Sequence, residues 1–308
     1  MYRPCCLWFL LGLAPLFLLM AAQTRAGQDD PQRLLGFADS LLQEGEYFRA
    51  ITEYKRFLFS YPSHPRALEA RYKIGLAYFR GQEWEEAILR FREIVEAYPQ
   101  EEIARDALFM IGEAYYRKGD YPSAIRVYQA ITAHYPQTET ATKARYRIGW
   151  SLLRLRQWEE AATQFAAIEE QSPYYPSAQT LMQEAKKGET LPRKSPLLAG
   201  ILSGLLPGAG QAYNGRYRDA LVAFLLNGAF ILGGIEAIRA GNEALAGAIF
   251  FFEGGWYSGN VYGAINAAHK FNRDVEERFL QGLELQHHSI LRKLGSREIP
   301  LLHLSWRF

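Results

Sequence analysis

The chain has 308 residues and a formal net charge of +2 at pH 7, and 49% of its residues are hydrophobic. This length is enough for two domains, and the near balance of charge gives no electrostatic basis for nucleic acid as a partner. The only cysteines, Cys5 and Cys6, precede an apolar run, so a chain that has lost this run carries no disulfide, thiolate metal site or cysteine nucleophile.

Residues 1–26 have the form of a secretory signal peptide. Arg3 precedes an apolar run from Leu7 to Ala22, and Thr24 and Ala26 fit the small-residue pattern before a cleavage point. An uncleaved membrane anchor is the alternative, although the run is short for a full span. A lipid-attachment cysteine would follow the run, so we predict no lipoprotein signal. Both interpretations place the following residues outside the cytoplasm.

Residues 31–187 repeat with a period of 37 residues. Tyr-Pro pairs begin at positions 61, 98 and 135, and Ile-Gly pairs begin at 74, 111 and 148. Each unit contains two stretches with helical spacing of apolar residues, and proline ends the second. A fixed period of this length predicts an all-α repeat solenoid. An alanine and an aromatic residue keep the same interval: Ala50, Ala87, Ala124 and Ala161, and Tyr47, Trp84, Tyr121 and Trp158.

These units resemble tetratricopeptide repeats. The order of residues in that family appears here as Ile74, Gly75, Tyr78, Ala87, Phe91 and Pro99, and again as Ile111, Gly112, Tyr115, Ala124, Tyr128 and Pro136. The longer period and its Tyr-Pro joint are similar to those of bacterial envelope proteins, namely outer-membrane assembly lipoproteins and the periplasmic partner of the Tol-Pal system. The resemblance implies a solenoid that binds proteins or peptides in the cell envelope.

The first helices of such a solenoid line its concave face. There we predict a peptide-binding groove of nine residues: Tyr72, Phe79, Arg80, Phe109, Tyr116, Arg117, Tyr146, Trp150 and Arg154. The arginines recur every 37 residues and suit the carboxylates of an extended peptide. The alternative is that each arginine only complements a helix dipole and that the aromatic residues belong to the core.

A linker over residues 188–196 leads into a glycine-rich region over residues 197–270. Its second and third apolar runs, residues 220–238 and 244–265, are long enough for membrane spans. Small residues four apart form a flat stripe where another helix can approach in lipid, from the same chain or from a second copy in a homo-oligomer. The predicted packing glycines are Gly200, Gly204, Gly208, Gly255, Gly259 and Gly263.

The stretch SGLLPGAGQAYNGRY (residues 203–217) invites comparison with phosphate-binding loops, and the comparison fails. Gln211 follows Gly210 where a P-loop needs lysine, and Tyr213 stands where a dinucleotide turn needs glycine. The stretch resembles small bacterial membrane-domain families marked by a PG-x-GQ-x-YNG turn before paired spans. We predict a tight interfacial turn with Tyr213 and Tyr217 at headgroup level, and no cofactor.

Glu253 lies inside the third apolar run, and a carboxylate within a membrane span is a functional candidate by default. Asn227, Asn260 and Asn266 are predicted to hydrogen-bond between helices. The topology has two alternatives. If residues 197–206 cross the membrane, the basic residues that flank the other spans are cytoplasmic, as the positive-inside rule prefers. If residues 197–213 only dip into it, the C-terminus lies on the side of the repeats.

Residues 271–308 are predicted to form an amphipathic helix and a tail. His287 and His288 are adjacent and therefore point apart on a helix, so no metal site is predicted. The tail ends with Leu302, Leu304, Trp306 and Phe308 in alternation, which resembles the last strand of outer-membrane barrels. This keeps an outer-membrane location open beside the preferred inner membrane.

The leading functional hypothesis is a non-enzymatic periplasmic scaffold that is tethered to a membrane and binds envelope proteins or peptides. The alternative is a transport or membrane-remodelling component whose oligomeric hairpin is regulated by the repeats. Catalysis comes third, because the sequence contains no metal-ligand spacing, nucleophile motif or paired carboxylate.

Overall fold

The computed structural model describes residues 30–293, and every regular element in this range is an α-helix. The all-α prediction is confirmed for these residues. The predicted signal peptide at 1–26 and the alternating tail at 300–308 lie outside the described range. The chain divides into two compact units after Ser151, and each unit is described by itself.

The first unit is a series of helices, and from the first to the sixth each packs on the next along the chain. The helices are α1 (Pro31–Glu44), α2 (Tyr47–Ser60), α3 (Ala67–Arg80), α4 (Trp84–Ala97), α5 (Glu102–Lys118), α6 (Tyr121–His134) and α7 (Glu139–Arg154). The division between the units falls within α7. These bounds agree with two helices per 37-residue period.

Local sequence signals set several helix ends. The Asp30 and Asp120 carboxylates accept hydrogen bonds from the backbone N–H groups of Gln32 and Ser123, which caps the starts of α1 and α6. Gly119 ends α5 with a φ of 87°, a conformation that side chains with a Cβ rarely adopt. The turns between paired helices are therefore specified by residues beside them in the chain.

In two of the repeats the core joins a glycine in the first helix to an aromatic ring in the second. A Cβ at Gly75 would lie 2.7 Å from the Phe91 ring, and a Cβ at Gly112 would collide with the Tyr128 ring. Phe91 and Tyr128 are fully buried. The glycine of the repeat pattern is therefore needed for close packing, since any larger residue would overpack the core.

Neighbouring repeats of the first unit meet at sets of three equivalent residues, which we call joints, and these sets are alternately polar and apolar. Tyr128 donates a hydrogen bond of 2.6 Å to the buried Glu113 carboxylate, which also pairs with Arg147 from the next repeat. Burial and the Glu113 charge raise the pKa of the Tyr128 hydroxyl, so it remains a neutral donor. One period earlier, the equivalent positions hold the apolar residues Leu76, Phe91 and Met110. Two periods earlier, they hold a polar set, Asp39, Tyr54 and Lys73, in which Tyr54 and Lys73 both bind the Asp39 carboxylate.

The second unit contains the last repeat helices and the glycine-rich region. Its helices are α8 (Trp158–Ala166), α9 (Tyr175–Gly188), α10 (Pro196–Leu205), α11 (Ala209–Tyr213), α12 (Tyr217–Arg239) and α13 (Glu243–Lys293). The first half of α13 packs on α10, α11 and α12, and its second half packs on α9.

Helix α13 has 51 residues, which is about 77 Å at the rise of an α-helix. It passes without a break through positions 270 and 271, where the sequence predicted a boundary between the membrane domain and the amphipathic helix. No glycine or proline occurs near this position to end the helix, so the two predicted segments form one continuous element.

Candidate functional site

Five of the six predicted groove aromatics are buried in the structure: Phe79, Phe109, Tyr116, Tyr146 and Trp150. Tyr72 is half-buried. Phe79 packs edge-on against Trp84 with ring centroids 5.2 Å apart, and Tyr116 packs on Tyr121 at 5.3 Å. The sequence placed these rings in an open groove, whereas the structure places them in the core. In two repeats the aromatic residue that begins the second helix packs on a ring from the last turn of the first helix.

The three predicted groove arginines, Arg80, Arg117 and Arg154, are half-buried and occupy different surroundings. We call them the ladder arginines because they recur every 37 residues. Arg154 forms an ion pair with Glu284 in the distal part of α13. Burial lowers the pKa of the Arg117 guanidinium, and the nearby charge of Arg147 acts in the same direction. Arg80 lies at the end of α3 near Tyr72 and Tyr54. Burial raises the pKa of both hydroxyls, and the Arg80 charge opposes this rise only in part. Arg154 is therefore paired with a carboxylate of the same chain.

The distal segment of α13 (residues 271–287) covers the last repeat helices. Glu276 pairs with Arg156 at 3.0 Å and with Arg193 at 3.3 Å, and Ser177 contacts the buried His287 ring nitrogen at 2.9 Å. Phe279 packs edge-on against Trp158 with centroids 5.6 Å apart.

This segment completes the repeat pattern. Trp84 and Tyr121 each contact the aromatic residue five positions earlier, but the residue five positions before Trp158 is Leu153. Phe279 supplies the missing ring from a distant part of the chain. Sequence reasoning missed this contact, because Leu42 stands at the same position before Tyr47 and a leucine there is therefore no signal of a distant partner.

The PGAGQAYNG motif is a structural joint. Gly208 has a φ of 89°, and a Cβ at Gly208 or Gly210 would collide with the carbonyl oxygen of Ala220 or Ala199. The side-chain amides of Gln211 and Asn214 donate hydrogen bonds of 2.9 Å and 2.8 Å to the α13 backbone carbonyls of Asn260 and Ala264. These contacts account for the motif residues without a phosphate, in agreement with the prediction of a tight turn.

The two ends of the segment from α10 to α11 lie close together, beside the same part of α13. The ammonium group of Lys194, which precedes α10, donates a hydrogen bond to the Tyr213 carbonyl at the end of α11. The Lys194 backbone and the Asn272 side chain also exchange hydrogen bonds of 2.7 Å and 2.8 Å. Since both ends meet the same part of α13, residues 197–213 form a re-entrant excursion. This is the geometry of the second topological alternative.

The outward surface of the glycine-rich region is apolar. Helix α12 is long and apolar enough to cross a membrane, and only 22% of its apolar window is buried. By the same criterion α13 does not qualify, so of the two predicted spans within the described residues only the one in α12 is long and apolar enough. Large apolar side chains are exposed on all three long helices of this region, among them Leu197, Leu205, Leu225, Leu232, Phe251 and Trp256.

Of the six predicted packing glycines, two are close to another part of the chain and four have open space or only one distant neighbour. A Cβ at Gly200 would lie 2.9 Å from Ile265, and Gly208 is needed in the turn, while Gly204 has open space beside it. Gly255 and Gly259 also have open space, and Gly263 reaches only Gln211 at 4.0 Å. These three glycines lie on the face of α13 that is turned away from α12. Helices α12 and α13 approach closely at Gly234, where a Cβ would lie 2.5 Å from the Phe250 ring.

Glu253 is 5% exposed and lies in the seam between α12 and α13. Neither of its carboxylate oxygens has a hydrogen-bond partner within residues 30–293. No group of three or more His, Cys, Asp and Glu side chains that could hold a metal is found in this range. Glu253 is therefore the least satisfied charged group of the hairpin.

A surface that the sequence did not indicate lies in the first unit. A groove of about 640 Å³ runs between neighbouring repeats with an apolar floor that includes Ile74 and Ile94. Its rim combines both charge signs and contains Lys55, Arg71, Arg90, Glu93 and Glu96. The mixed rim gives it no clear preference for an acidic or a basic ligand.

Comparison with known proteins identifies the repeats. A family model described as Tetratricopeptide repeat matches residues 35–102 and 109–176, so the chain carries tetratricopeptide repeats there. Repeats of this kind commonly mediate protein–protein interaction and scaffolding. No curated protein sequence matches the chain.

Solved structures with a similar helical fold include tetratricopeptide-like repeats of a kinesin light chain from Podosopora anserina, with 14% identity, a TM-score of 0.42, and coverage of 53% of this chain and 90% of that one. A tetratricopeptide repeat protein from Parabacteroides merdae has 13% identity and a TM-score of 0.42, and covers 78% of this chain and 98% of that one. A Rap protein complexed with Competence and Sporulation Factor has 13% identity and a TM-score of 0.37, with coverage of 86% and 76%.

Proposed function

We propose that the protein is a non-enzymatic scaffold of the bacterial cell envelope, tethered to a membrane by its glycine-rich hairpin, which binds protein or peptide partners through its tetratricopeptide repeats. The observation that carries the proposal is the combination, in one chain, of these repeats with a helical hairpin whose outward surface is apolar. A water-exposed apolar surface of this extent marks a membrane or protein contact. The form of residues 1–26 supports an exported chain with periplasmic repeats.

The chemistry of the ladder arginines supports an acidic partner. Arg154 already binds the Glu284 carboxylate, and Arg80 and Arg117 occupy the equivalent positions one and two periods earlier. Because arginine binds carboxylates in a directed geometry, the proposed partner is an extended or helical segment that places Asp or Glu side chains beside Arg80. Five of the predicted aromatics are buried, so the partner is recognised mainly by charge rather than by ring faces.

The binding proposal is tested by copurification from detergent-solubilised membranes of the native cell. We expect the double change Arg80→Ala and Arg117→Ala to remove specific partners, as measured by quantitative mass spectrometry. The control is Arg33→Ala with Arg92→Ala, which removes the same charge from two exposed positions. Partners that remain with the ladder variant, or are lost equally with the control, would contradict the proposal.

The membrane proposal is tested by density-gradient separation of membranes followed by carbonate extraction. We expect the wild-type chain in carbonate-resistant inner membrane. Leu225→Asp places a charge on the exposed middle of α12, where insertion costs about 2.5–3.5 kcal/mol, and should raise the extractable fraction. Leu89→Asp, at an exposed position in α4, should leave it unchanged. Full release of the wild-type chain would show that the hairpin is a soluble bundle.

The second candidate function is a transport or membrane-remodelling component with an oligomeric hairpin. The open space beside Gly255 and Gly259 on the outward face of α13 favours it, because small residues four apart allow two helices to pack closely in lipid. A Gly259→Cys variant in a background with Cys5 and Cys6 replaced by serine would then form a disulfide-linked dimer in membranes. A chain that stays monomeric under oxidation would count against this candidate.

A further inference from the structure

Three segments of the glycine-rich region meet at one end of the α12–α13 hairpin, and we call this end the hairpin base. It consists of residues 193–195, 213–219 and 269–274. The Lys194 ammonium group lies 5.2 Å from the centre of the Tyr213 ring and 4.8 Å from the centre of the Phe271 ring. The backbone N–H of Ser195 donates a hydrogen bond of 3.0 Å to the Tyr213 hydroxyl, and the Asn272 side chain binds the Lys194 backbone. These contacts hold the three segments beside one another.

The register of α12 and α13 places basic residues of both helices at this level. The two helices run antiparallel through a short turn, and Gly234 of α12 lies beside Phe250 of α13. Arg218 lies 16 residues before Gly234, which makes it level with position 266, 16 residues after Phe250. Lys270 follows this position by about one turn of α13, or roughly 6 Å along the helix axis. Arg218 and Lys270 therefore belong to the same end of the hairpin.

The hairpin base is cationic. Its basic residues outnumber its two acidic residues, Asp219 and Asp274. The basic residues are Arg193, Lys194, Arg216, Arg218, Lys270 and Arg273. The opposite end of the hairpin, residues 236–243, has the reverse balance, with two acidic residues and one basic residue. Positive charge is therefore concentrated at one end of an otherwise apolar hairpin.

Three exposed cations of the hairpin base have no counterion in the protein. Arg193 and Arg216 are each paired with a carboxylate. Arg218, Lys270 and Arg273 are exposed and form no ion pair with any residue in the range 30–293. Their charge is available to an external anion.

These cations border exposed apolar surface. Leu197 at the start of α10 is 72% exposed, and Leu221 near the start of α12 is 58% exposed. Tyr217, which lies between the basic residues and Leu221, is also exposed. Tyrosine is enriched where a membrane protein passes from the lipid chains to the headgroups. A ligand that covers this surface must combine a negative charge with an apolar part.

We propose that the hairpin base binds the headgroups of anionic phospholipids through Arg218, Lys270 and Arg273. A phospholipid brings its phosphate to the cations and its acyl chains to the exposed leucines, whereas a free phosphate ion would contact the cations alone. Basic residues at the membrane surface attract anionic lipids in this way. The inference rests on the proposed insertion of the hairpin into a membrane.

The topology gives a separate reason for a lipid ligand. With residues 197–213 re-entrant, the hairpin base lies on the side of the repeats, which is the periplasm for an exported chain. The positive-inside rule does not account for an excess of lysine and arginine on that side. Binding of anionic headgroups accounts for it, because both leaflets of a membrane can contain such lipids.

The test uses the purified full chain in micelles of a neutral detergent and measures its unfolding temperature with added phosphatidylglycerol or phosphatidylcholine. A ligand that binds only the folded state stabilises it according to its concentration relative to Kd. We expect phosphatidylglycerol to act at a lower concentration than phosphatidylcholine. The triple change Arg218→Gln, Lys270→Gln and Arg273→Gln should raise the phosphatidylglycerol concentration required by about a hundredfold and leave the response to phosphatidylcholine unchanged.

A matched control removes the same charge from the first unit. Arg33→Gln, Lys55→Gln and Arg92→Gln change three exposed cations and should keep the preference for phosphatidylglycerol. Equal responses of the wild-type chain to the two lipids would overturn the proposal. A preference that persists in the triple variant, or is lost equally in the control, would overturn it as well.

Two further measurements use only the wild-type chain. Glycerol phosphate carries the same phosphate without acyl chains and should not stabilise the chain; stabilisation equal to that by phosphatidylglycerol would mean a site for free phosphate and would refute the lipid ligand. Salt at about 1 M screens exposed charges and should remove most of the preference. A chain that resists carbonate extraction but shows no preference for phosphatidylglycerol would refute the headgroup site alone, whereas release by carbonate would refute the membrane proposal.

Discussion

At the scale of single residues, the alternation of joints in the first unit shows how one register accommodates two chemistries. Glu113, Tyr128 and Arg147 satisfy one another in the core, while Leu76, Phe91 and Met110 fill the same register with apolar contacts. A buried ion pair is about as stable as a well-packed apolar substitute, but one charge left without its partner is strongly destabilising. The polar joint therefore depends on all three of its members.

A transplant of one joint onto the other tests this dependence. Arg147→Met alone leaves the Glu113 carboxylate buried without its cation and should lower the free energy of unfolding by about 3–5 kcal/mol. The triple change Glu113→Leu, Tyr128→Phe and Arg147→Met recreates the apolar joint and should recover most of that loss. Chemical unfolding of the full chain, followed by circular dichroism, measures both.

Arg90→Met is the control for this series, because Arg90 forms its ion pairs with Glu86 and Glu93 near the surface. Exposed pairs contribute about 0–1 kcal/mol, so this variant should unfold nearly as the wild-type chain does. A triple variant that is no more stable than Arg147→Met would show that the two joints differ in backbone geometry as well as in side chains.

At the scale of elements, α13 belongs to two structures. Its first half closes the hairpin, and its distal segment packs on the last repeat helices through Glu276, Phe279 and Glu284. Leu280 and Leu283 are buried in this segment, whereas Leu285 is exposed. The two contacts lie on separate parts of this helix. A change in the distal segment should therefore act on the end of the repeat array and leave the hairpin contacts unchanged.

Two leucines of the distal segment provide a matched pair. Leu280→Ala removes a buried side chain and should destabilise the contact by about 2–5 kcal/mol, and Leu285→Ala should have an effect near zero. Hydrogen exchange followed by mass spectrometry should show faster exchange over residues 271–287 in the first variant alone. Equal exchange in both variants would mean that the segment is held by its ion pairs and not by apolar burial.

At the scale of the whole molecule, the proposed membrane topology depends on residues 197–213. Lys194, just before this segment, contacts both the Phe271 ring and the Tyr213 carbonyl at its end, so under the membrane proposal the segment is re-entrant and the chain crosses through α12 and the first half of α13. The basic residues at the base of the hairpin then lie on the same side as α8 and α9. For an exported chain this side is the periplasm, against the preference of the positive-inside rule.

Cysteine labelling separates the two topologies. In a background with Cys5 and Cys6 replaced by serine, Asn242→Cys in the hairpin turn and Arg273→Cys at its base should react with a membrane-impermeant thiol reagent from opposite sides. Arg273→Cys should be labelled in intact spheroplasts and Asn242→Cys only after lysis. Labelling of Asn242→Cys and protection of Arg273→Cys in spheroplasts would contradict a periplasmic base.

The repeats could be predicted because their information is local and repeated. The period of 37 residues sets each helix, its caps and its glycine–aromatic contact, and all of these involve residues on neighbouring helices. The tight turn of the PGAGQAYNG motif was predictable for the same reason, since Gly208 and Gly215 need a left-handed backbone within the turn itself.

The tertiary structure alone decided the pairings between distant segments. Arg154 meets Glu284, Trp158 meets Phe279, and Gln211 meets Asn260, and no periodic pattern links the members of these pairs. Five predicted groove aromatics became core residues, because an amphipathic pattern identifies the buried stripe of a helix but not which neighbour covers its edges. By itself the sequence determined the helical repeats and the apolar hairpin, while packing decided which aromatics are buried in the core and which glycines are close-packed.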